Sequence, residues 1–305
     1  MNNLIEILNG GLLGDASIRV KGKYQWFSWV AKDKNLLQFI KNKLRNLGIN
    51  NTYISVSNKK SKTYLLGFYM NKYPELLRLR EKWYINLNGK TQKVIPKDLK
   101  LTQTTLLYWY LGDGSLIRHK NPSRVPWIVL ATNNFLREDV ETLIKKLKKL
   151  NLNFYPVKYR SGFKKGKECG YALVSKVSDA TVYNFFKLIG FRPPKEIENC
   201  ITGRKGKESK LHFIKDKWPK NDEWIKIISN IPNLGLVLKI KEIRKRIGLT
   251  QKELGKRIGI SREAIRDFEN GKRNLRVDNL RKLLKSLKLT YRSNFHCFNF
   301  QSIVF

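Results

Sequence analysis

The chain has 305 residues, of which 41% are hydrophobic and 28% charged, enough length and apolar content for two or three folded domains. Lysine and arginine number 62 against 24 aspartates and glutamates, giving a formal net charge of +38 at pH 7. This excess indicates a polyanionic partner. Because basic residues run from end to end with aromatic residues between them, we expect nucleic acid rather than a membrane surface.

Three classes of protein are not indicated by the sequence. No apolar run approaches the roughly 20 residues of a membrane-spanning helix, and the N-terminal segment MNNLIEILNG lacks the basic region of a secretory signal. Cys169, Cys200 and Cys297 are widely separated, so we expect neither a disulfide framework nor a zinc ribbon. The expected location is intracellular: the cytoplasm or nucleoid of a prokaryote or phage-infected cell, or an organelle matrix.

The first hundred residues predict a helix, a strand, a helix, a hairpin and a helix. The opening helix covers LIEILNGGLLG, with Asn3 and Glu6 as a capping box and Gly10 and Gly14 on one face. Glycine inside a helix costs about 1 kcal/mol relative to alanine, which indicates close approach of another backbone. The other predicted elements are a strand over 24–30, a helix over 34–49, a hairpin around the basic turn 58–62, and a helix over 73–84.

The same order returns about 100 residues later. Its predicted elements are a helix over 103–113 capped by Thr102, a strand over 127–132, a helix over 137–152, a hairpin around the basic turn 161–168, and a helix over 178–191. A duplication of this kind indicates two similar half-domains related by a pseudo-twofold axis. We place these half-domains at 1–100 and 101–205.

The remaining third of the chain has a different pattern. Residues 206–235 are interpreted as a linker with a short helix near NDEWIKIISN, and 291–305 as an aromatic tail of unassigned role. Residues 236–290 predict short helices, two of which join through Gly259 with the spacing of a helix-turn-helix. Thr250 with Glu253, and Ser261, are the predicted caps of these two helices.

Both repeats end their first helix on an acid, in GGLLGDASI at Asp15 and in YWYLGDGSL at Asp113. A carboxylate at a helix C-terminus is disfavoured by about 0.3–1 kcal/mol. If the two helices pack side by side, their ends bring the two acids together, and a hard cation shared between them removes the repulsion. Mg²⁺ prefers oxygen ligands, and can activate a water molecule and stabilise the leaving oxygen of a phosphodiester.

These segments resemble the LAGLIDADG motifs of homing endonucleases, in LNGGLLGDA (8–16) and LLYWYLGDG (106–114). The resemblance covers about residues 1–200. It implies an α+β fold of two pseudo-symmetric αββαββα-type half-domains with saddle-shaped antiparallel sheets. The small all-α helix-turn-helix domain follows them. Asn9, Ala16 and Tyr108 depart from the usual motif, and Tyr108 is expected to fill space over Gly10.

The resemblance also implies roles for individual residues. Asp15 and Asp113 would bind two or more Mg²⁺ ions at the interface of the motif helices, with the carbonyls of Gly14 and Gly112 as further ligands. Lys93 and Lys195, which follow the last helix of each repeat, are candidates for activating water, or else ordinary phosphate contacts. The sheets would lie along the DNA major groove, and the expected DNA contacts are Tyr24, Trp26, Lys59, Lys60, Lys62, Lys158, Arg160, Lys164 and Lys165.

The C-terminal segment resembles the helix-turn-helix of Cro and phage repressors, in LTQKELGKRIGIS and FENGKRNL. The resemblance implies a recognition helix that begins at Ser261 and presents Arg262, Glu263 and Arg266 to the major groove. Gln251 would bind a phosphate, and Lys272 and Arg273 would add contacts to the DNA backbone.

We therefore expect a monomeric, Mg²⁺-dependent endonuclease that cuts double-stranded DNA at a long recognition site. The helix-turn-helix would extend the site or bind the promoter of its own gene. Two alternatives remain open: a DNA-binding transcription regulator that no longer cuts, and a group I intron maturase that uses the same sheets on RNA. The retained acids argue against the regulator, and the helix-turn-helix argues against the maturase.

Overall fold

The computed structural model describes residues 2–58, 60, 62–160, 168–205, 210–231, 236–270 and 275–287. The chain divides into two units, each treated separately below. The first comprises 1–117, 127–176 and 184–218, and the second comprises 118–126, 177–183 and the chain from 219 onward. The fold is α+β, as expected. No helix within the described ranges is both long and apolar enough to cross a bilayer.

The first half-domain has the order αββαββα followed by a hairpin. Its elements are α1 (Asn2–Leu13), β1 (Ala16–Lys21), β2 (Tyr24–Ala31), α2 (Lys34–Asn46), β3 (Tyr53–Asn58), β4 (Thr63–Tyr69), α3 (Pro74–Trp83), β5 (Tyr84–Leu87) and β6 (Lys90–Lys93). The sheet is antiparallel, in the order β1-β2-β4-β3. The pattern of residues did not predict β1. The predicted capping box at Asn3 is wrong, because α1 already begins at Asn2.

The second half-domain repeats this topology. Its elements are α4 (Gln103–Asp113), β7 (Gly114–Ile117), β8 (Trp127–Ala131), α5 (Arg137–Lys148), β9 (Phe154–Arg160), β10 (Glu168–Ser175), α6 (Thr181–Ile189), β11 (Ile201–Lys205) and β12 (Lys210–Phe213). The antiparallel sheet has the order β7-β8-β10-β9. Thr102 caps α4 as predicted, since its side chain accepts a hydrogen bond from Thr105 N. The two halves are thus pseudo-symmetric.

The short helix predicted within the linker 206–235, near NDEWIKIISN, is confirmed as α7 (Asn221–Ser229). Before it, residues 210–213 form β12 and Ile214–Lys217 form a short 3-10 helix, so the described residues 210–217 are not a linker. The hairpins β5–β6 and β11–β12 therefore close the two half-domains in the same way, and the second half-domain extends to about residue 218 rather than 205. This extension matters because it carries Lys217.

Each closing hairpin is joined to the opposite half by an aspartate at the start of a helix. Asp33 caps α2, and its Oδ2 accepts a hydrogen bond from Ile201 N of β11 at 2.6 Å. In the other half, Asp139 lies in the first turn of α5. Its Oδ1 accepts a hydrogen bond at 3.0 Å from the backbone N–H of Ile95, two residues after β6. These reciprocal bonds tie the two halves together beside the segments that carry Lys93 and Lys217.

Each sheet has a core face and an open face. In the first sheet, Phe27, Trp29, Leu66 and Phe68 are buried on the core face, and the Phe27 and Phe68 rings stack with centroids 5.3 Å apart. In the second sheet, Ile128, Leu130, Phe154 and Leu173 are fully or almost fully buried on the corresponding face. Each such side chain stabilises the fold by about 1.5–3 kcal/mol. Side chains alternate along a strand, so the opposite face of each sheet is left to interact with a partner.

The second unit contains the helices α8 (Leu236–Arg246), α9 (Gln251–Ile258), α10 (Arg262–Glu269) and α11 (Val277–Ser286). They share a core that includes Ile240, Leu254, Ile265 and Leu283, and Ile228 of α7 belongs to it. The chain turns between α9 and α10 at Gly259, whose φ of 75° is in the left-handed region that favours glycine. The caps Thr250 and Ser261 are confirmed, the first as a capping box with Glu253.

Candidate active site

Helices α1 and α4 pack against each other so closely that their glycines are required. A Cβ atom on Gly10 would lie 2.6 Å from Thr105 O and 2.7 Å from Tyr108 Cβ. Tyr108 therefore lies over Gly10, as predicted from the sequence. Farther along, a Cβ on Gly14 would lie 3.5 Å from Gly112 Cα, so the C-terminal ends of the two helices meet backbone to backbone.

This contact brings Asp15 and Asp113 together. A Cβ on Gly112 would lie 3.2 Å from Asp15 N and 3.4 Å from Asp15 Oδ2, and Asp113 is the next residue. Burial raises the pKa of Asp15. Burial, reinforced by the charge of Asp15, raises the pKa of Asp113 to about 7. Two carboxyl groups 98 positions apart in sequence thus share one site, in which Asp113 is half-buried and Asp15 is exposed.

Lys93, at the end of β6, lies at this site as expected. Its Nζ donates a hydrogen bond to Ala16 O at 2.9 Å, one residue after Asp15. Its Nζ also lies 5.6 Å from the centroid of the Phe135 ring and 6.0 Å from that of the Trp83 ring. Burial lowers the pKa of Lys93 to about 8, although Asp113 and Asp15 favour its charged form.

The second lysine of the site is Lys217, which the sequence analysis missed. Its Nζ donates hydrogen bonds to the carbonyls of Tyr110, Leu111 and Gly112, at 3.2, 2.7 and 3.0 Å. An ammonium group thus closes the C-terminal end of α4, where it complements the helix dipole. Burial lowers the pKa of Lys217 to about 8 against the opposing effect of Asp15 and Asp113.

Lys195, the predicted counterpart of Lys93, is not the lysine that the structure places beside the acids. It lies exposed in a 3-10 helix, Lys195–Ile197. The cations that lower the pKa of Asp15 and Asp113 are Lys217 and Lys93. The physical reason is the hairpin β11–β12, which separates Lys195 from the chain segment that returns to the end of α4.

The oxygen donors of the site fit a hard divalent cation. Two adjacent carboxylates repel each other, and a cation between them removes both the repulsion and part of the desolvation penalty. The carbonyl of Gly112, expected as a further ligand, already accepts a hydrogen bond from Lys217. Within the described ranges, no three His, Cys, Asp or Glu residues are grouped as metal ligands, so a cation here depends on the aspartates, backbone carbonyls and water.

The expected DNA contacts of the first sheet lie on its open face or in its turn. Tyr24 is 52% exposed, and its ring contacts that of Tyr69 edge to face, with centroids 6.4 Å apart. Trp26 is half-buried on the same face, opposite Arg19 in the strand register. Lys60 and Lys62 are exposed in the β3–β4 turn. Lys59 lies outside the described residues.

The expected contacts of the second sheet are placed differently. Lys158 is exposed, but it alternates with Tyr155 and Val157, and so does not share their face of β9. Arg160 ends β9, and nothing is described of its side chain. Lys164 and Lys165 lie outside the described residues. The largely apolar character of this open face gave no signal in the pattern of residues.

In the helix-turn-helix, the predicted recognition helix is presented as expected from its cap. Ser261 accepts a hydrogen bond from Ala264 N at 3.1 Å, and Arg262, Glu263 and Arg266 are exposed on α10. Gln251 is already engaged, since its Nε2 donates to Glu269 Oε2 at 2.8 Å. Lys272 and Arg273 lie outside the described residues.

Comparison with known proteins agrees with this geometry. A sequence profile of the LAGLIDADG DNA endonuclease family matches residues 5–166. The chain belongs to this family. The LAGLIDADG region is followed by a match to a helix-turn-helix family over residues 240–292.

Among curated proteins, the LAGLIDADG chain is similar to the uncharacterized protein MJ1098 of Methanocaldococcus jannaschii. The two are 29% identical over 208 residues, which are 63% of this chain and 71% of that one. Among solved structures, it is similar to the homing endonuclease I-WcaI bound to its DNA recognition sequence, with 21% identity, a TM-score of 0.48, and coverage of 62% of this chain and 81% of that one. The N-terminal LAGLIDADG domain of DUF199/WhiA also matches, with 16% identity, a TM-score of 0.40, and coverage of 64% and 84%.

Proposed function

We propose that the chain is a Mg²⁺-dependent endonuclease that cuts double-stranded DNA at a specific site, as a monomer. The observation that carries this proposal is the site formed by Asp15, Asp113, Lys93 and Lys217, because two carboxylates and two lysines lie together at the ends of two abutting helices. Asp113, Lys93 and Lys217 are half-buried, and a purely structural arrangement has no need to gather four charged groups there, since desolvation opposes the charged form of each.

The two aspartates would hold divalent cations. A bound cation supplies Lewis-acid activation of water and stabilises the leaving oxygen of the phosphodiester. In the protein alone, two carboxylates and two ammonium groups balance to zero net charge. Adding a divalent cation gives the site a charge of about +2, which DNA phosphates offset, so cation and DNA should each favour binding of the other.

The two lysines have different parts in this proposal. All three protons of the Lys217 ammonium are directed at carbonyls of α4, so Lys217 holds the helix end and its charge steadies both acids. Lys93 donates to Ala16 O, and an ammonium carries two further protons. With its pKa lowered to about 8, Lys93 is suited to orient a phosphate oxygen and to exchange a proton with water near neutral pH.

The helix-turn-helix would extend DNA binding beyond the sheets. Its exposed Arg262 and Arg266 have the chemistry for paired hydrogen bonds to guanine in the major groove, each worth about 1–3 kcal/mol of discrimination. The long recognition site expected of the protein would thus be read by two separate units.

The test is selection of cleaved duplexes from a random DNA pool in Mg²⁺, followed by single-turnover cleavage of the selected duplex. We expect one site to be enriched. Replacing either acid, in Asp15→Asn or Asp113→Asn, should slow cleavage at least about 100-fold while leaving DNA affinity within about threefold. Asp98→Asn, which alters an exposed acid, is the matched control and should cleave as the wild type does. Tight binding of a specific duplex that the wild type never cuts would instead identify a DNA-binding regulator.

A further inference from the structure

The open faces of the two sheets differ in chemistry. In the first sheet, the register aligns Ser17 with Ser28 and Gly67, and the next row of that face aligns Arg19 with Trp26 and Tyr69. Arg19 and Tyr69 are exposed. Ser28 is buried and its hydroxyl lies 2.9 Å from that of Ser17, so the groups that this face offers to the edges of bases are the Arg19 guanidinium, the Trp26 indole N–H and the Tyr69 hydroxyl.

The corresponding rows of the second sheet are more apolar, although they keep one hydroxyl and one indole N–H. Two residues after Asp113, Ser115 aligns with Val129 and Val174, and Ile117 aligns with Trp127 in the next row. Val129 stands where the first half has Ser28, Val174 where it has Gly67, and Ile117 where it has Arg19. Among the described positions of this face, on β7, β8, β9 and β10, none carries a charged or amide side chain.

Three apolar side chains of this face are exposed, while Val129 and Val174 are half-buried. Val157 is 41% exposed, Ile117 36% and Tyr155 50%. Exposed apolar patches on proteins commonly mark surfaces of interaction. The partner must fit both this surface and a chain of net charge +38. A DNA duplex provides both, since it is a polyanion whose major groove contains one apolar group, the C5-methyl of thymine.

We propose that the open face of the second sheet recognises a thymine-rich half-site through contacts with C5-methyl groups, while the open face of the first sheet reads its half-site by hydrogen bonding. The inference rests on the proposed function and specifies its substrate. Continuity with the active site supports it: β1 begins directly after Asp15, and β7 directly after Asp113, so both sheets extend from the same pair of acids toward one duplex.

The test replaces thymine by deoxyuridine, which removes only the methyl group, in one half-site of the selected duplex at a time. Affinity of the full-length protein is measured by fluorescence anisotropy. We expect each substitution in the half-site of the second sheet to weaken binding about fourfold, as expected for one buried methyl group. In the other half-site, we expect each substitution to weaken binding less than about twofold.

A variant identifies the sheet responsible. In Val157→Ala, the loss caused by deoxyuridine should fall below about twofold at one or two thymines, because the side chain that contacts their methyl groups has been shortened. The matched control is Val56→Ala on β3 of the first sheet. Val56 is an exposed valine, but it lies on the face of that sheet opposite to its open face. This variant should leave unchanged the loss of DNA affinity that deoxyuridine causes.

The outcomes separate the two proposals. If no duplex is bound or cut specifically, the proposed function fails. If a duplex is cut specifically but deoxyuridine has no effect in either half-site, or if Val157→Ala leaves every deoxyuridine loss unchanged, this inference is overturned while the proposed function stands. A selected half-site of guanine and cytosine opposite the second sheet would also overturn it.

Discussion

The two half-domains share one topology but fill it with different side chains. At the helix contact, the first half supplies Gly10 and the second half supplies Tyr108, which lies over it. On the open faces, Arg19 of the first half is matched by Ile117 of the second. At the ends of the motif helices, by contrast, each half has one acid and one half-buried lysine. The phosphate backbone is chemically alike in both strands, so the two halves of the active site face the same chemistry. The base sequence differs between the two half-sites, so the open faces of the two sheets can differ as well.

The lysines that each half contributes to the site come from different secondary-structure elements. Lys93 ends β6 and contacts the residue after Asp15, whereas Lys217 follows β12 in a 3-10 helix and contacts the three residues before Asp113. We expect this to give the two lysines unequal effects when each is replaced.

The largest effect is expected from Lys217→Met. It removes a charge beside both acids and one donor from each of three carbonyls of α4, of which Tyr110 O still accepts a hydrogen bond from Gly114 N. Single-turnover cleavage should slow about 100-fold. Lys195→Met is the matched control, and it should cleave within about twofold of the wild type because Lys195 is exposed. The reverse result, with Lys195→Met inactive and Lys217→Met active, would refute the assignment of the site.

The helix contact is tested by Gly10→Ala. Its Cβ would lie 2.6 Å from a backbone oxygen of α4, so the helices must separate, and unfolding in urea should show a loss of about 2–3 kcal/mol. Gly14→Ala provides the comparison, because its Cβ would meet no atom nearer than 3.4 Å. It should cost less than about 1 kcal/mol. Equal losses in the two variants would show that α1 and α4 do not meet as described.

The free energy of unfolding should depend on pH because the pKa of Asp113 is raised in the folded protein. The folded-state pKa of Asp113 is raised to about 7, whereas an unfolded aspartate titrates near pH 4. Between these values the folded protein holds a proton that the unfolded chain has lost, so this group makes folding less favourable as pH rises to about 7. In EDTA, Asp113→Asn should therefore be more stable than the wild type, by about 1–3 kcal/mol at pH 8.

The check is thermal unfolding between pH 4 and pH 8. The gain in stability of Asp113→Asn over the wild type should be smallest near pH 4, grow toward pH 7, and remain constant above pH 7. The exposed Asp98→Asn should show no such growth. An advantage independent of pH would mean that the carboxyl group of Asp113 is not desolvated.

The smallest effect is expected in the helix-turn-helix. Gln251 bonds to Glu269, which is itself buried and paired with Arg244 through bonds of 2.6 and 2.9 Å. Gln251→Met should cost about 0.5–1.5 kcal/mol of stability. The slope of log affinity against log salt should stay unchanged. A slope reduced by about one would show instead that Gln251 binds a phosphate when DNA is present.

The acids and the close helix contact could be predicted because their signal is local. Gly10, Gly14 and Asp15 lie within six residues, and the pattern returns at Asp113. Lys217 gave no such signal, because it is one of 62 basic residues, in a stretch rich in proline and lysine, and only the β11–β12 hairpin brings it to α4. The β5–β6 hairpin did have a signal that was overlooked: Asn88 and Gly89 have φ of 50° and 73°, as in the tight turns that Asn-Gly favours.

The most direct test measures binding of Mn²⁺ to the complex of the protein with its selected duplex, with free Mn²⁺ followed by electron paramagnetic resonance. The wild-type complex should bind Mn²⁺, and the double variant Asp15→Asn with Asp113→Asn should lose this binding while it still holds the duplex. If the double variant binds Mn²⁺ as tightly as the wild type does, the two aspartates do not hold the cation, and the proposed active site is wrong.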